Sequence, residues 1–244
     1  MRTPENISNL VDLTSLNAFD SPERIEQFLA LAIEYYQRGF KVAAVCLYPN
    51  FGQQAVDQLK EVPIKTAVVG AHFPASQGFL STRINECELA LQAGVDEIDI
   101  VMNLGAFDMN DNQQVADEIR AIKGLMEHQQ LKVILETGYL ELEDRIRRAA
   151  SIAVEAGADF IKTSTGKEFP GATLDAAKIM AQVIKEHQEK EGKTVGLKIS
   201  GGVRTKEQAE KYIQSVQDIL GNDFIHPSTF RIGASSLLKN LTKF

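Results

Sequence analysis

Short apolar runs rich in Val, Ile and Leu alternate with amphipathic helical stretches from one end of the chain to the other. The runs predict eight strands, at 9–13, 41–48, 65–73, 97–103, 132–137, 159–163, 195–200 and 230–233. Apolar strands separated by helical returns call for a parallel sheet covered on both faces. Eight such units in about 250 residues fit an α/β fold, a (β/α)8 TIM barrel. No linker rich in Pro, Gly or Ser interrupts the pattern, so residues 1–244 are expected to form a single domain. An open doubly wound sheet is the alternative; it is disfavoured because no glycine-rich turn follows the first strand.

The helical stretches carry their own punctuation. Ser21-Pro22-Glu23 offers an N-cap, a proline at the first helical position and an early acid, with Ile25, Phe28, Leu29, Ala32, Ile33 and Tyr36 as the apolar face. Thr205-Lys206-Glu207-Gln208 fits a capping box ahead of the stripe Ala209, Tyr212, Ile213 and Val216. Ala93-Gly94-Val95-Asp96 and Ala156-Gly157-Ala158-Asp159 end two helices alike, each glycine suited to a left-handed C′ position before the next strand. Asp96 and Asp159 then fall at strand entries, away from the end where barrel chemistry gathers.

That end is the carboxyl end of the strands. The sequence places there Asp12 and Thr14, Cys46 and Tyr48, His72, Asp99 and Asn103, Glu136 and Thr137, Lys162, Lys198, and Gly233-Ala234-Ser235-Ser236. Lysine inside an apolar strand needs a reason, because burying its charge is costly. Alternation puts Phe160, Lys162 and Ser164 on one face, and Gly196, Lys198 and Ser200 on another. Equivalent residues on adjacent strands lie about 5 Å apart, so two ammonium groups there repel and one loses its proton readily. One lysine as nucleophile and the other as its tuner is the sharp reading; two fixed cations clamping a phosphate is the plain one. Asp99 is either a proton partner or a structural counter-charge. Ser200-Gly201-Gly202-Val203-Arg204 and the Gly233–Ser236 stretch, which opens a short helix, fit a phosphate cradle, with Gly166 and Lys167 beside it.

Composition removes other classes. The net charge of −7 argues against nucleic-acid binding. Cys46 and Cys87 form neither a metal-ligand spacing nor a disulfide framework, which points to a reducing cytoplasm. The residues after Met1 lack the apolar core of a signal peptide, and no apolar run reaches membrane-spanning length. His72, His128, His187 and His226 are scattered and form no metal-ligand cluster. Cys46 reads as a small buried hydrophobe, and Glu136 as a pocket group or a lysine's partner.

Asp12-Leu13-Thr14, Glu97-Ile98-Asp99-Ile100-Val101, Ala158-Asp159-Phe160-Ile161-Lys162-Thr163-Ser164-Thr165-Gly166, Lys198-Ile199-Ser200-Gly201-Gly202-Val203-Arg204-Thr205 and Arg231-Ile232-Gly233-Ala234-Ser235-Ser236 together resemble the deoxyribose-phosphate aldolase family. The resemblance spans nearly the whole chain. It implies a class I aldolase on a TIM barrel, without metal or other cofactor. The implied reaction is reversible cleavage of 2-deoxy-D-ribose 5-phosphate to D-glyceraldehyde 3-phosphate and acetaldehyde, in a homo-oligomer. By the same resemblance, Lys162 is the Schiff-base lysine, Lys198 the lysine that perturbs it, and Asp99 the proton donor and acceptor. Asp12 and Thr14 are implied to contact substrate hydroxyls, while Gly166, Lys167, Gly201, Gly202, Arg204, Gly233, Ser235 and Ser236 are implied to hold the phosphate side. The chain departs from the family at Ile199, where many relatives have proline, in the Gly70–Gly78 stretch, and at Phe244, where some relatives carry a tyrosine-ended tail. Another Schiff-base aldolase for a phosphorylated sugar, or a non-catalytic sugar-phosphate-binding barrel, are the competing readings.

Overall fold

The computed structural model describes residues 2–242; the end of the chain at Phe244 lies outside them. Eight parallel strands close in sequence order into a barrel. They are β1 Val11–Thr14, β2 Ala44–Leu47, β3 Lys65–Val69, β4 Glu97–Val101, β5 Gln130–Ile134, β6 Phe160–Lys162, β7 Gly196–Ser200 and β8 Phe230–Ala234. The expected (β/α)8 architecture is therefore present, with strands generally shorter than the apolar runs. β3 stops at Val69 rather than running on to His72, because Ala71 and His72 both turn into left-handed backbone at φ 55° and 60°.

Residues facing outward from the strands, such as Val45, Ile98, Val133, Ile161, Leu197 and Ile232, are buried against the helical layer. Trimming one to alanine there costs about 2–5 kcal/mol. The helix Pro22–Gln37 is capped by Ser21 as expected, but its buried face runs Ile25, Leu29, Ala32 and Tyr35. Tyr36 is 36% exposed, since it sits one residue, some 100°, past that line. The capping box at Thr205 and Gln208 is complete. Gly94 and Gly157 take φ of 82° and 96°, and the acids that follow tie neighbouring strands together. Asp96 accepts the Thr66 N–H at 2.8 Å, while Asp159 accepts the Leu131 N–H at 2.7 Å and pairs with Lys123.

The bore is divided. On the β2–β3 side it is filled by Ala44, Cys46, Ala67 and Val69, with Leu16, Tyr48 and Phe73 packed over them. On the β4–β8 side and at β1 it is filled by charge. Phe160 lies under that charged half, with Lys132 Nζ and the Arg231 guanidinium 5.9 and 5.7 Å from its ring centre. Gly196 makes room for this ring: a Cβ there would fall 2.3 Å from it.

Candidate active site

Strand register brings seven charges together in the bore, with Lys162 opposite Lys198 and Asp99 opposite Lys132. Lys132 Nζ lies 2.5 Å from Glu97 Oε2 and 3.0 Å from Asp99 Oδ1. Asp99 Oδ2 takes Lys198 at 2.7 Å, and Lys198 also reaches Asp12 Oδ2 at 2.5 Å. Asp12 Oδ1 takes Arg231 at 2.6 Å, and Arg231 returns to Glu97 Oε1 at 2.9 Å. These six side chains close a ring of alternating sign: Lys132, Asp99, Lys198, Asp12, Arg231, Glu97. Lys162 stands outside the ring, donating to Asp99 Oδ2 at 2.8 Å.

Burial alone would drive every ring member towards its neutral form; its neighbours reverse that in each case. The carboxyls of Asp12, Glu97 and Asp99 are held below the ordinary carboxylate range, Asp12 by Lys198 and Arg231, Glu97 by Lys132 and Arg231, and Asp99 by the three lysines. Lys132 is raised by Asp99 and Glu97, Lys198 by Asp12 and Asp99, and Arg231 by Asp12 and Glu97. The ring is thus three fixed cations against three fixed anions, and Lys162 is the surplus positive charge. It is also the one of the four cations that lines a cavity, although only 3% of its surface is exposed.

The cavity holds about 300 Å³ at the carboxyl end of the strands. Its wall includes Thr14, Lys162, Gly166, Lys167, Gly201, Gly202, Arg204, Gly233, Ser235 and Ser236, so ten of the thirteen residues expected from sequence meet in one place. Asp99 and Lys198 lie directly beneath it. Asp12 does not reach the wall: it is fully buried, its carboxylate taken by Lys198 and Arg231, which leaves Thr14 as the β1 group facing the cavity.

Close glycine contacts shape the cradle. Gly201 and Gly202 both have positive φ, 90° and 93°. A Cβ on Gly171 would lie 2.2 Å from the Gly201 carbonyl oxygen, so two loops touch through bare backbone. Ser200 locks the β7 turn to β6: its Oγ donates to the Ser164 carbonyl at 2.5 Å, and its N–H donates to Thr163 Oγ1 at 2.9 Å. The helix after Ser236 is one short turn, Leu237–Leu241. Lys167 reaches over the Tyr48 ring to the Leu16 carbonyl and so spans the mouth from the β6 loop to the β1 loop.

Other expected groups have different tasks. Among the described residues Glu136 pairs with no lysine. It sits in left-handed backbone, φ 57°, accepting from the Thr165 hydroxyl at 2.5 Å and the Thr165 N–H at 3.1 Å, and so holds the start of the loop that carries Gly166 and Lys167. Burial raises its carboxyl above the usual range. His72 is outside the cavity wall, its N–H donating to Glu86. Cys46 is fully buried in the apolar half of the bore, and burial raises its thiol, as a packing residue's would be. Reading the strands one by one missed the ring roles of Lys132, Glu97 and Arg231. The available signal was alternation: Glu97 and Asp99 share a face of β4, and Lys132 is in register beside them.

A closed parallel barrel whose functional side chains gather at the carboxyl ends of its strands places the chain among the TIM-barrel enzymes. A family model described as DeoC/LacD family aldolase matches residues 8–243. The human deoxyribose-phosphate aldolase is 36% identical over 246 residues, covering 96% of this chain and 77% of that protein. A putative deoxyribose-phosphate aldolase of Caenorhabditis elegans is 38% identical, covering 96% and 78%. The crystal structure of a putative deoxyribose-phosphate aldolase from Coccidioides immitis superposes with a TM-score of 0.85 at 28% identity, covering 99% of this chain and 87% of that one. The chain belongs to the DeoC/LacD aldolase family.

Proposed function

We propose that this chain is a class I aldolase that cleaves 2-deoxy-D-ribose 5-phosphate, reversibly, to D-glyceraldehyde 3-phosphate and acetaldehyde, with Lys162 as the Schiff-base residue. One observation carries the reading: the surplus cation of a buried charge cluster is the one that faces the cavity, and glycine-built loops face it across that cavity. An amine placed where it can reach the substrate carbonyl is the nucleophile this chemistry requires.

Neutral Lys162 adds to C1 of the open-chain sugar, and loss of water leaves a protonated imine. The C3 hydroxyl proton is removed by Asp99 acting through water. The C2–C3 bond breaks, its electron pair moving into the imine as an enamine, and C3 leaves as the aldehyde carbon of glyceraldehyde 3-phosphate. Protonation of the enamine at C2 and hydrolysis free acetaldehyde and restore Lys162. Asp99 is held ionised by three lysines, so a proton it accepts is passed on to water rather than kept. Gly166, Lys167, Gly201, Gly202, Arg204, Gly233, Ser235 and Ser236 hold the phosphate end, and Thr14 faces a sugar hydroxyl. Asp12 acts through Lys198. Each carboxylate of the cluster is already taken by ammonium or guanidinium groups, and among the described residues no group of His, Cys, Asp and Glu is arranged to hold a metal ion.

The enzyme works in the cytoplasm as a homo-oligomer in this reading. Buried free thiols at Cys46 and Cys87 support a reducing compartment. Among the described residues no helix is long and apolar enough to cross a membrane. Borohydride trapping in the presence of 2-deoxyribose 5-phosphate, followed by peptide mapping, tests the chemistry. A single substrate-dependent adduct on Lys162 is the expected result. An adduct on Lys198 would reverse the two roles, and no adduct on folded protein would favour a sugar-phosphate-binding barrel.

A further inference from the structure

The closed ring has a side that never approaches the cavity. Arg231 stands opposite Asp99 in the ring, and Glu97 joins it to Lys132. Both side chains are buried, and neither lines the cavity. We propose that Glu97 and Arg231 are positioning residues for the aldol reaction, setting the charge balance against which Lys162 gives up its proton. The inference rests on the reading of Lys162 as nucleophile.

Charge parity in the low-dielectric bore couples the far side of the ring to Lys162. With Lys162 protonated the cluster holds four cations and three carboxylates; with Lys162 neutral it holds three of each. Lys162 is faced directly by Asp99, with Lys198 on the same carboxylate oxygen; Cys46 on β2, a neutral thiol, and Glu136 after β5 are the other titratable groups near it. Behind these stand Lys132, Asp12 and Arg231. Glu97 is faced by Lys132, Arg231 and, from the amino-terminal end of the barrel, Lys65 at 3.1 Å, with Asp12 beyond. Lys65 is 44% exposed at its side chain, so solvent weakens its effect at low salt and removes it at high salt, and it is not counted with the buried seven. The interior transmits charge poorly screened, so removing one charge from the far side of the ring is felt at Lys162.

Removing a distant anion and removing a distant cation must then act in opposite directions. Glu97→Gln leaves the ring with one excess positive charge, which favours neutral Lys162; the acid limb of the kcat/KM profile moves down by about one pH unit. Arg231→Gln leaves one excess negative charge, and the same limb moves up by about one unit. The double variant restores parity and returns the limb towards its original position, and Arg231→Lys, which keeps the charge, leaves it in place. A purely structural role would lower activity in all four without this pattern of sign and cancellation. Displacements of both single variants in one direction, or no displacement in either, overturn the proposal.

Where a buried variant does not fold, Lys65→Gln decides. Its side chain is half exposed, and its loss moves the limb up by less than Arg231→Gln, an effect abolished at high salt. An unmoved limb in that variant at low salt overturns the proposal. Borohydride trapping on the unsubstituted protein separates the two failures: an adduct on Lys162 with unmoved limbs refutes the ring, whereas no adduct refutes the nucleophile itself.

Discussion

Lys162 and Lys198 share a single oxygen. Asp99 Oδ2 is 2.8 Å from one Nζ and 2.7 Å from the other, and the two lysines are register partners on adjacent strands. Lys198 has a second carboxylate, Asp12, and Lys162 has none among the described residues. That asymmetry sets the lysine locked into the ring apart from the one that lines the cavity.

Removing Lys198 should therefore disable Lys162 without deleting it. In Lys198→Leu three cations face three carboxylates with Lys162 charged, so its proton is held more firmly. We expect kcat/KM to fall by roughly 100- to 10,000-fold and the acid limb of the pH profile to move up. A profile of unchanged shape would show that Lys198 does not tune the nucleophile.

Stability should be flat across the neutral range and fail in acid. The carboxyls of Asp12, Glu97 and Asp99 are depressed on folding, so their contribution is present above their unfolded values, about 4, and is lost as pH falls through the folded ones. Lys132 and Lys198 are raised, so theirs is present below about 10 and is lost only as pH rises through their folded values. Thermal melting from pH 3 to pH 9 should give a plateau above about pH 5 and a steep drop towards pH 3. A Tm that declines steadily from pH 8 to pH 5 would contradict this.

Gly171→Ala tests the cradle. The added methyl would meet the Gly201 carbonyl and displace the β7 loop. KM for 2-deoxyribose 5-phosphate should rise at least about tenfold, with little change for unphosphorylated 2-deoxyribose. Equal losses on both substrates would mean that the loop serves the reacting end instead.

Gly196→Ala tests the layer beneath the ring. Its methyl would overlap the Phe160 ring, costing about 1–3 kcal/mol, seen as a lowered Tm. Phe160→Leu added to it should recover part of the loss. Failure to recover would place the strain in the backbone rather than in the ring contact.

The barrel was legible because its signals are local: each strand's apolar run, each cap at Ser21 or Thr205, each glycine at Gly94 or Gly157 is a property of a few adjacent residues. Lys162, Lys198 and Asp99 stood out because a charge inside an apolar strand contradicts its surroundings. Asp12 was placed among the cavity groups because it ends a strand. Only three-dimensional register shows that Arg231 from the other end of the chain takes its carboxylate. Glu97 and Lys132 are the first residues of the apolar runs 97–103 and 132–137, and their inward turn depends on which neighbour each strand acquires. Glu136 reads equally from sequence as a pocket group or a lysine's partner, since its left-handed backbone and its hold on Thr165 are set by a loop that arrives 29 residues later.

The ring also times the birth of activity. Asp12 and Arg231 are 219 positions apart, and they meet only when β1 and β8 zip together to close the barrel. Such distant pairings come late, after the entropy of a nearly chain-length loop has been overcome. A nascent or partly unravelled barrel lacking β8 has no Arg231, and one lacking β7 as well has no Lys198, so the ring beside Lys162 stays open and short of positive charge. A reactive amine is thus withheld until the last seam is sealed, and recovery of turnover during refolding becomes a clock for that closing step.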